Sequence, residues 1–146
     1  MKDITKSILQ GKFDVAKEFC RSMDDIEIKD TIMTIAYETE SISVYSFIQY
    51  MIKETERIFW IELAIDILVN PLCFIEGAYS AALYHSRDLL SKDRNVENLE
   101  MLIFFHNIPE KLVDKEEAES IAEEILKIEP DNKAALEIMR YKNELS

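Results

Sequence analysis

Apolar residues recur every three to four positions along almost the whole chain, the spacing of one face of an α-helix. The pattern predicts an all-α protein. A first short helix near Asp3–Gln10 stops at Gly11, and Asp14 is placed to cap a second helix that runs to about Met23. A third helix begins at Asp24 or Asp25 and carries Ile28, Ile32 and Ile35 on one face. The pair Ile26/Ile28 hints at a strand, but the alternation does not persist. Ser41 or Ser43 caps a fourth helix with Val44, Phe47, Ile48 and Met51. The next segment has Ile58, Ile61, Ile65 and Leu68 on one stripe and Phe59, Trp60, Leu63, Ala64 and Ile67 on its other sides. A helix apolar nearly all round belongs in the centre of a core. Asn70-Pro71 ends it, because the residue before proline is biased away from helical geometry. Further helices are expected over Ile75–Ser91, Val96–His106, Glu116–Ile128 and Asn132–Glu144, punctuated by Pro109, Asp114 and Pro130. About nine helices with short connections read as four antiparallel hairpins plus an end helix. They form one helical-repeat domain over residues 1–146.

An internal period supports stacking of these hairpins. Ala82–Asn95 reads ALYHSRDLLSKDRN and Ala118–Asp131 reads AESIAEEILKIEPD, an offset of 36 residues. Ala82 aligns with Ala118, Leu89-Leu90 with Ile125-Leu126, and Asp93-Arg94 with Glu129-Pro130. A small residue lets the second helix of a hairpin approach the first, two apolar residues close the contact with the next unit, and a polar turn resets the chain. Repetition on this scale marks a solenoid. The stretch LVDKEEAESIAEEILKIEPDNKAALEI, residues 112–138, resembles the second half of a diverged tetratricopeptide repeat running into the next unit. Of the family's positions, Ala118 and Pro130 fit, whereas Ala122 and Ile125 do not. GKFDVA, from Gly11 to Ala16, is similar to the entry of the same motif. The first-helix signature falls at Leu102, Phe105 and His106, with a bulky histidine where the family has a small residue; residues 24–75 do not match. The resemblance implies a tetratricopeptide-like α-solenoid that binds peptides or protein partners and carries no catalysis.

Composition narrows this picture. Only two glycines and three prolines occur, too few for the turns of a sheet protein of 146 residues. The net charge of −12 opposes a phosphate backbone or an anionic membrane surface, so neither nucleic acid nor membrane is expected as a partner. It attracts a basic protein, although acidity also serves solubility alone. The N-terminal MKDITKSILQGKFD lacks the apolar run of a secretion signal, and the stretch from Ile58 to Val69 is interrupted by Glu62 and Asp66. Cys20 and Cys73, far apart, read as free, buried, inert thiols, and a cytoplasmic location is expected.

Candidate chemistry is sparse. The chain has no Gly-rich phosphate loop, no nucleophile elbow, no C-x-x-C and no H-E-x-x-H. His85 and His106 lack a Glu-x-x-His partner and read as packing or surface residues. No cofactor, metal or catalytic residue is therefore expected. Tyr37, Tyr45, Tyr50 and Tyr84 combine an apolar ring with a polar tip; they serve either as core or as the lining of a partner groove. Among Glu116, Glu117, Glu119, Glu123 and Glu124, the first-turn residues complement the helix dipole. The rest, Glu119 and Glu123 among them, form a solvated face or a docking surface. The expected function is non-catalytic protein–protein interaction, first as a bacterial immunity protein that neutralises a cognate basic toxin. The alternatives are a peptide-binding adaptor or regulator and, behind it, an enzyme built on scattered carboxylates. A monomer is favoured over a self-paired assembly.

Overall fold

The computed structural model describes residues 2–145. Among them lie nine α-helices and no strand: α1 (Lys2–Leu9), α2 (Phe13–Cys20), α3 (Asp25–Thr39), α4 (Ile42–Thr55), α5 (Ile58–Val69), α6 (Ala78–Lys92), α7 (Val96–Asn107), α8 (Lys115–Ile128) and α9 (Lys133–Leu145). No helix among the described residues is long and apolar enough to cross a membrane. Contacts divide the chain into two units, residues 1–85 and 86–146.

In the first unit α1 pairs with α2, and both rest on α4. α4 pairs with α5, and α3 packs against both. This partnering follows from where the apolar faces lie. α5 is apolar nearly all round and is covered accordingly: Trp60, Ile61, Leu63, Ala64, Ile65, Ile67 and Leu68 are all buried. Of its apolar residues, Ile58 at the first turn is exposed and Phe59 and Val69 are half-buried. Trp60 meets Phe47 of α4 edge-on at 5.9 Å between ring centres, and Phe47 also touches Phe13 of α2 at 5.7 Å. Edge-to-face contacts of this kind add to the burial of the rings.

Capping explains the boundaries. The Asp24 carboxylate accepts from the Glu27 backbone N–H at 2.8 Å and starts α3. The Ser41 hydroxyl accepts from the Ser43 N–H and starts α4. α2 begins one residue before the expected cap: Lys12 is its N-cap, without a side-chain bond, and Asp14 lies in the first turn, where its charge still complements the helix dipole. Gly11 closes the α1–α2 turn at φ 74°. Glu40 and Glu56 end α3 and α4 in the same left-handed region, at φ 52° and 55°, a conformation that costs a residue with a Cβ.

In the second unit α7, α8 and α9 pack in succession, each against the next, a neighbour-to-neighbour order compatible with a helical repeat. Asn95 caps α7 and Asp114 caps α8, each through its side-chain oxygen. Asn132 is buried at the head of α9. It accepts from the Ala135 N–H and donates to Glu100 of α7 and to Glu129, so one side chain ties the start of α9 to α7. Two guanidinium–carboxylate forks span α6 and the following turn to α8: Arg87 to Glu117 at 2.6 and 2.9 Å, and Arg94 to Glu124 at 2.6 and 2.8 Å. The forks sit seven residues apart on both sides, so the two segments run side by side in the same direction. The aligned alanines Ala82 and Ala118 are fully buried, as is Ile125; Leu89 and Leu90 are buried, and Leu126, the counterpart of Leu90, is half-buried.

Candidate functional site

The residues singled out from sequence fall in two groups, tyrosines in the first unit and glutamates in the second. Tyr37, on α3, is 58% exposed and Tyr84, on α6, is 69% exposed. Both offer a ring to solvent. Tyr45 is half-buried. Its hydroxyl lies 2.8 Å from His85 Nε2 and accepts from the Gln49 side-chain amide at 2.8 Å. The Tyr84 ring stands edge-on to His85 on the same helix, so Tyr45 and Tyr84 meet around one imidazole. Burial first, and the nearby Tyr84 second, push the Tyr45 hydroxyl above its ordinary pKa. The hydroxyl stays protonated at neutral pH and serves as a hydrogen-bonding group. Tyr50 is drawn instead toward the core edge, against Phe13 and Phe47.

Glu119 and Glu123 lie one turn apart on α8. Glu119 is half-buried, with Lys115 at 3.9 Å; Glu123 is exposed and receives Lys142 of α9 at 3.2 Å. Glu119 lines a cavity of about 520 Å³ together with His106, Asn107, Lys111, Lys115, Glu137, Ile138, Tyr141 and Lys142. That volume falls within the range of sites that take small molecules or peptide side chains. His106 Nδ1 is 2.9 Å from the Val113 carbonyl oxygen. A carbonyl only accepts, so Nδ1 donates. Lys111, on the rim, has φ 44°. Sequence reading had no signal for this cavity, because its lining comes from three helices and a loop whose mutual approach is a tertiary fact.

The carboxylates with resolved shifts, Glu117 and Glu124, both lie below the ordinary value, held there chiefly by their hydrogen bonds to Arg87 and Arg94. These are clamps between helices. No group of three His, Cys, Asp or Glu side chains among the described residues is placed to hold a metal ion. The thiols differ from each other. Cys20 is buried and its pKa is raised to about 11 by that burial. Cys73, expected to be buried, is exposed. It lies in the loop after α5, where the chain turns at Asn70-Pro71 and presents Phe74 to solvent as well.

The acidic surplus is shared evenly. Residues 1–85 carry 8 basic and 14 acidic side chains, and residues 86–146 carry 9 and 15. No family model, curated protein or solved structure matches the chain.

Proposed function

We propose that this chain is a non-catalytic module that binds a protein partner, and that the partner is basic. The reading rests on one observation: both units expose more acid than base, while the carboxylates whose pKa is shifted serve helix clamps. Complementary potential steers a basic partner into contact and rejects like-charged ones. The role that suits such a module best is a cytoplasmic bacterial immunity protein that occupies and neutralises a cognate basic toxin. The test is affinity capture of the tagged protein from its own cells at low and at about 0.5 M salt, where exposed charges are screened over a few ångströms. A single stoichiometric basic partner, held at low salt and weakened at high salt, is the expected result. A partner of acidic character, or capture indifferent to salt, refutes the charge-led reading.

A second reading is favoured by the 520 Å³ cavity of the second unit. Asn107 and Tyr141 supply the amide and the aromatic ring that suit a bound peptide backbone and side chain, and the tetratricopeptide resemblance, over residues 112–138, takes in α8 and the first part of α9. Under that reading the protein is a peptide-binding adaptor or regulator. Several captured partners sharing one short segment are then expected.

A further inference from the structure

The third helix leaves two large apolar side chains, Ile26 and Tyr37, in solvent on the side away from its core contacts. Ile28, Ile32, Ile35 and Ala36 point inward and are buried. At about 100° per residue, Ile26, Asp30, Met33 and Tyr37 fall on the opposite side. Their spacing of four, three and four residues makes one continuous outward stripe. Ile26 is 74% exposed and Tyr37 is 58% exposed, while Met33 between them is half-buried because it packs against the core of its own unit. From Ile26 to Tyr37 the stripe is about 16 Å long at 1.5 Å per residue. Apolar patches rimmed by charge are the usual mark of a docking site.

The rim states the partner's chemistry. Residues 24–40 contain six carboxylates and one cation. The cation, Lys29, is engaged by Asp66 of α5 at 3.2 Å. Asp25 is forked by Arg57 at 2.6 and 3.1 Å, and Asp24 caps the helix. The remaining four, Glu27, Asp30, Glu38 and Glu40, are exposed and have no cation within ion-pair distance. Glu27 and Glu38 lie on one flank of the stripe and Asp30 within it. Four unanswered negative charges, with Asp30 between the two exposed apolar side chains and Glu27 and Glu38 on their flank, complement one kind of surface: an amphipathic helix that carries lysine or arginine among and beside its apolar residues.

We propose that the outward face of α3, from Ile26 to Tyr37, docks a basic amphipathic helix of the protein partner. The proposal rests on the basic-partner reading above and adds the surface, the recognition mode and the anchors. Ile26 and Tyr37 are the anchors, because truncation of a few large apolar or aromatic side chains removes most interface energy. The four free carboxylates set the partner's sign and speed its approach.

The test uses a synthetic helix of about 18 residues, enough to cover the stripe at 1.5 Å per residue, with leucine at every third or fourth position and lysine and arginine flanking them. It is titrated into the full chain labelled with nitrogen-15. The expected result is saturable one-to-one binding. Amide shifts centre on residues 26–38, and an isosequential peptide carrying glutamate for every basic residue does not bind. Ile26→Ser with Tyr37→Ser is expected to weaken binding at least about tenfold. Glu27→Lys with Glu38→Lys is expected to weaken it and to flatten its salt dependence. Both pairs of sites are exposed, and helical circular dichroism confirms that the variants stay folded. Shifts centred on Glu116–Glu123 of α8 overturn the placement on α3 while leaving a basic partner in place. Binding of the acidic peptide in preference to the basic one overturns the basic-partner reading as well. If light scattering shows a dimer without peptide that Ile26→Ser and Tyr37→Ser dissociate, the face belongs to a second copy and the proposal falls.

Discussion

Phe47→Ala is the most informative change in the first unit. The ring is fully buried and lies 5.7 Å from Phe13, 6.4 Å from Tyr50 and 5.9 Å from Trp60 between ring centres. Burying an aromatic side chain removes roughly 150–250 Å² from water, worth about 4–6 kcal/mol at about 25 cal/mol per Å². Alanine keeps a small part of that, and the neighbours relax into part of the void. Phe13 and Tyr50 are only half-buried and are free to move inward, whereas Trp60 is packed on all sides and is not. The expected loss is therefore about 3–4 kcal/mol, in the lower half of the range for such truncations. Trp60 is the only tryptophan of the chain and sits against the altered site, so its fluorescence reports this core directly. In urea, with a slope near 2 kcal/mol per molar, the midpoint should fall by about 1.5–2 M. Phe47→Leu, which keeps most of the apolar volume, should cost less than about 1.5 kcal/mol. A midpoint change for Phe47→Ala below about 0.5 M at unchanged slope refutes the assignment of Phe47 as the centre of this core.

Other expectations follow from individual residues. Glu40→Gly and Glu56→Gly should each stabilise by about 0.5–1 kcal/mol, because glycine relieves the left-handed strain at these C-caps while giving back part of the gain as unfolded-chain entropy; thermal melts decide it. The Glu117 and Glu124 carboxyls lie below the ordinary value in the folded chain. Their stabilisation is thus present above the ordinary glutamate value near 4.5 and is lost as pH falls through the lowered folded one. Both forks are largely exposed, so each should contribute no more than about 0.5–1 kcal/mol after screening. Glu117→Gln with Glu124→Gln should flatten the fall in stability below pH 4.5, and an unchanged acid limb refutes the forks as its source. An aromatic disulfide reagent at pH 8 should titrate one thiol quickly, Cys73. Cys20, buried with its pKa near 11, should react only on unfolding.

The helical period of apolar positions determined a great deal. It placed all nine helices to within a few residues of their observed bounds, because a 3.6-residue repeat is written locally and survives any tertiary arrangement. It also marked α5 as central, since a helix apolar on every side has nowhere else to go, and it started α3 at Asp24 or Asp25 and α4 at Ser41 or Ser43, of which Asp24 and Ser41 are the caps. The reading failed where two local preferences were equally good. Lys12 rather than Asp14 heads α2, because Gly11 turns the chain a residue earlier and the carboxylate serves the dipole from the first turn. It failed again at Cys73, whose apolar neighbours suggested burial. The loop they occupy turns outward after Pro71, so Leu72 is buried while Cys73 and Phe74 face solvent.

The candidate surfaces show where sequence stops. Exposed tyrosines were legible as a class, but nothing local separates Tyr37 and Tyr84, left in solvent, from Tyr50, which is taken up by Phe13 and Phe47. Ile26 read as a weak strand signal because it stands two residues from Ile28. In the folded chain those two residues lie on opposite sides of α3, one in the core and one in water. Periodicity states which residues share a face. Which of two apolar faces is buried is decided by the neighbours that cover it. α3 turns Ile28, Ile32 and Ile35 toward α4 and α5, and that choice leaves Ile26 and Tyr37 outside. The cavity beside His106 belongs to the same class of facts: its residues are spread from 106 to 142 in sequence and meet only because α7, α8 and α9 pack side by side.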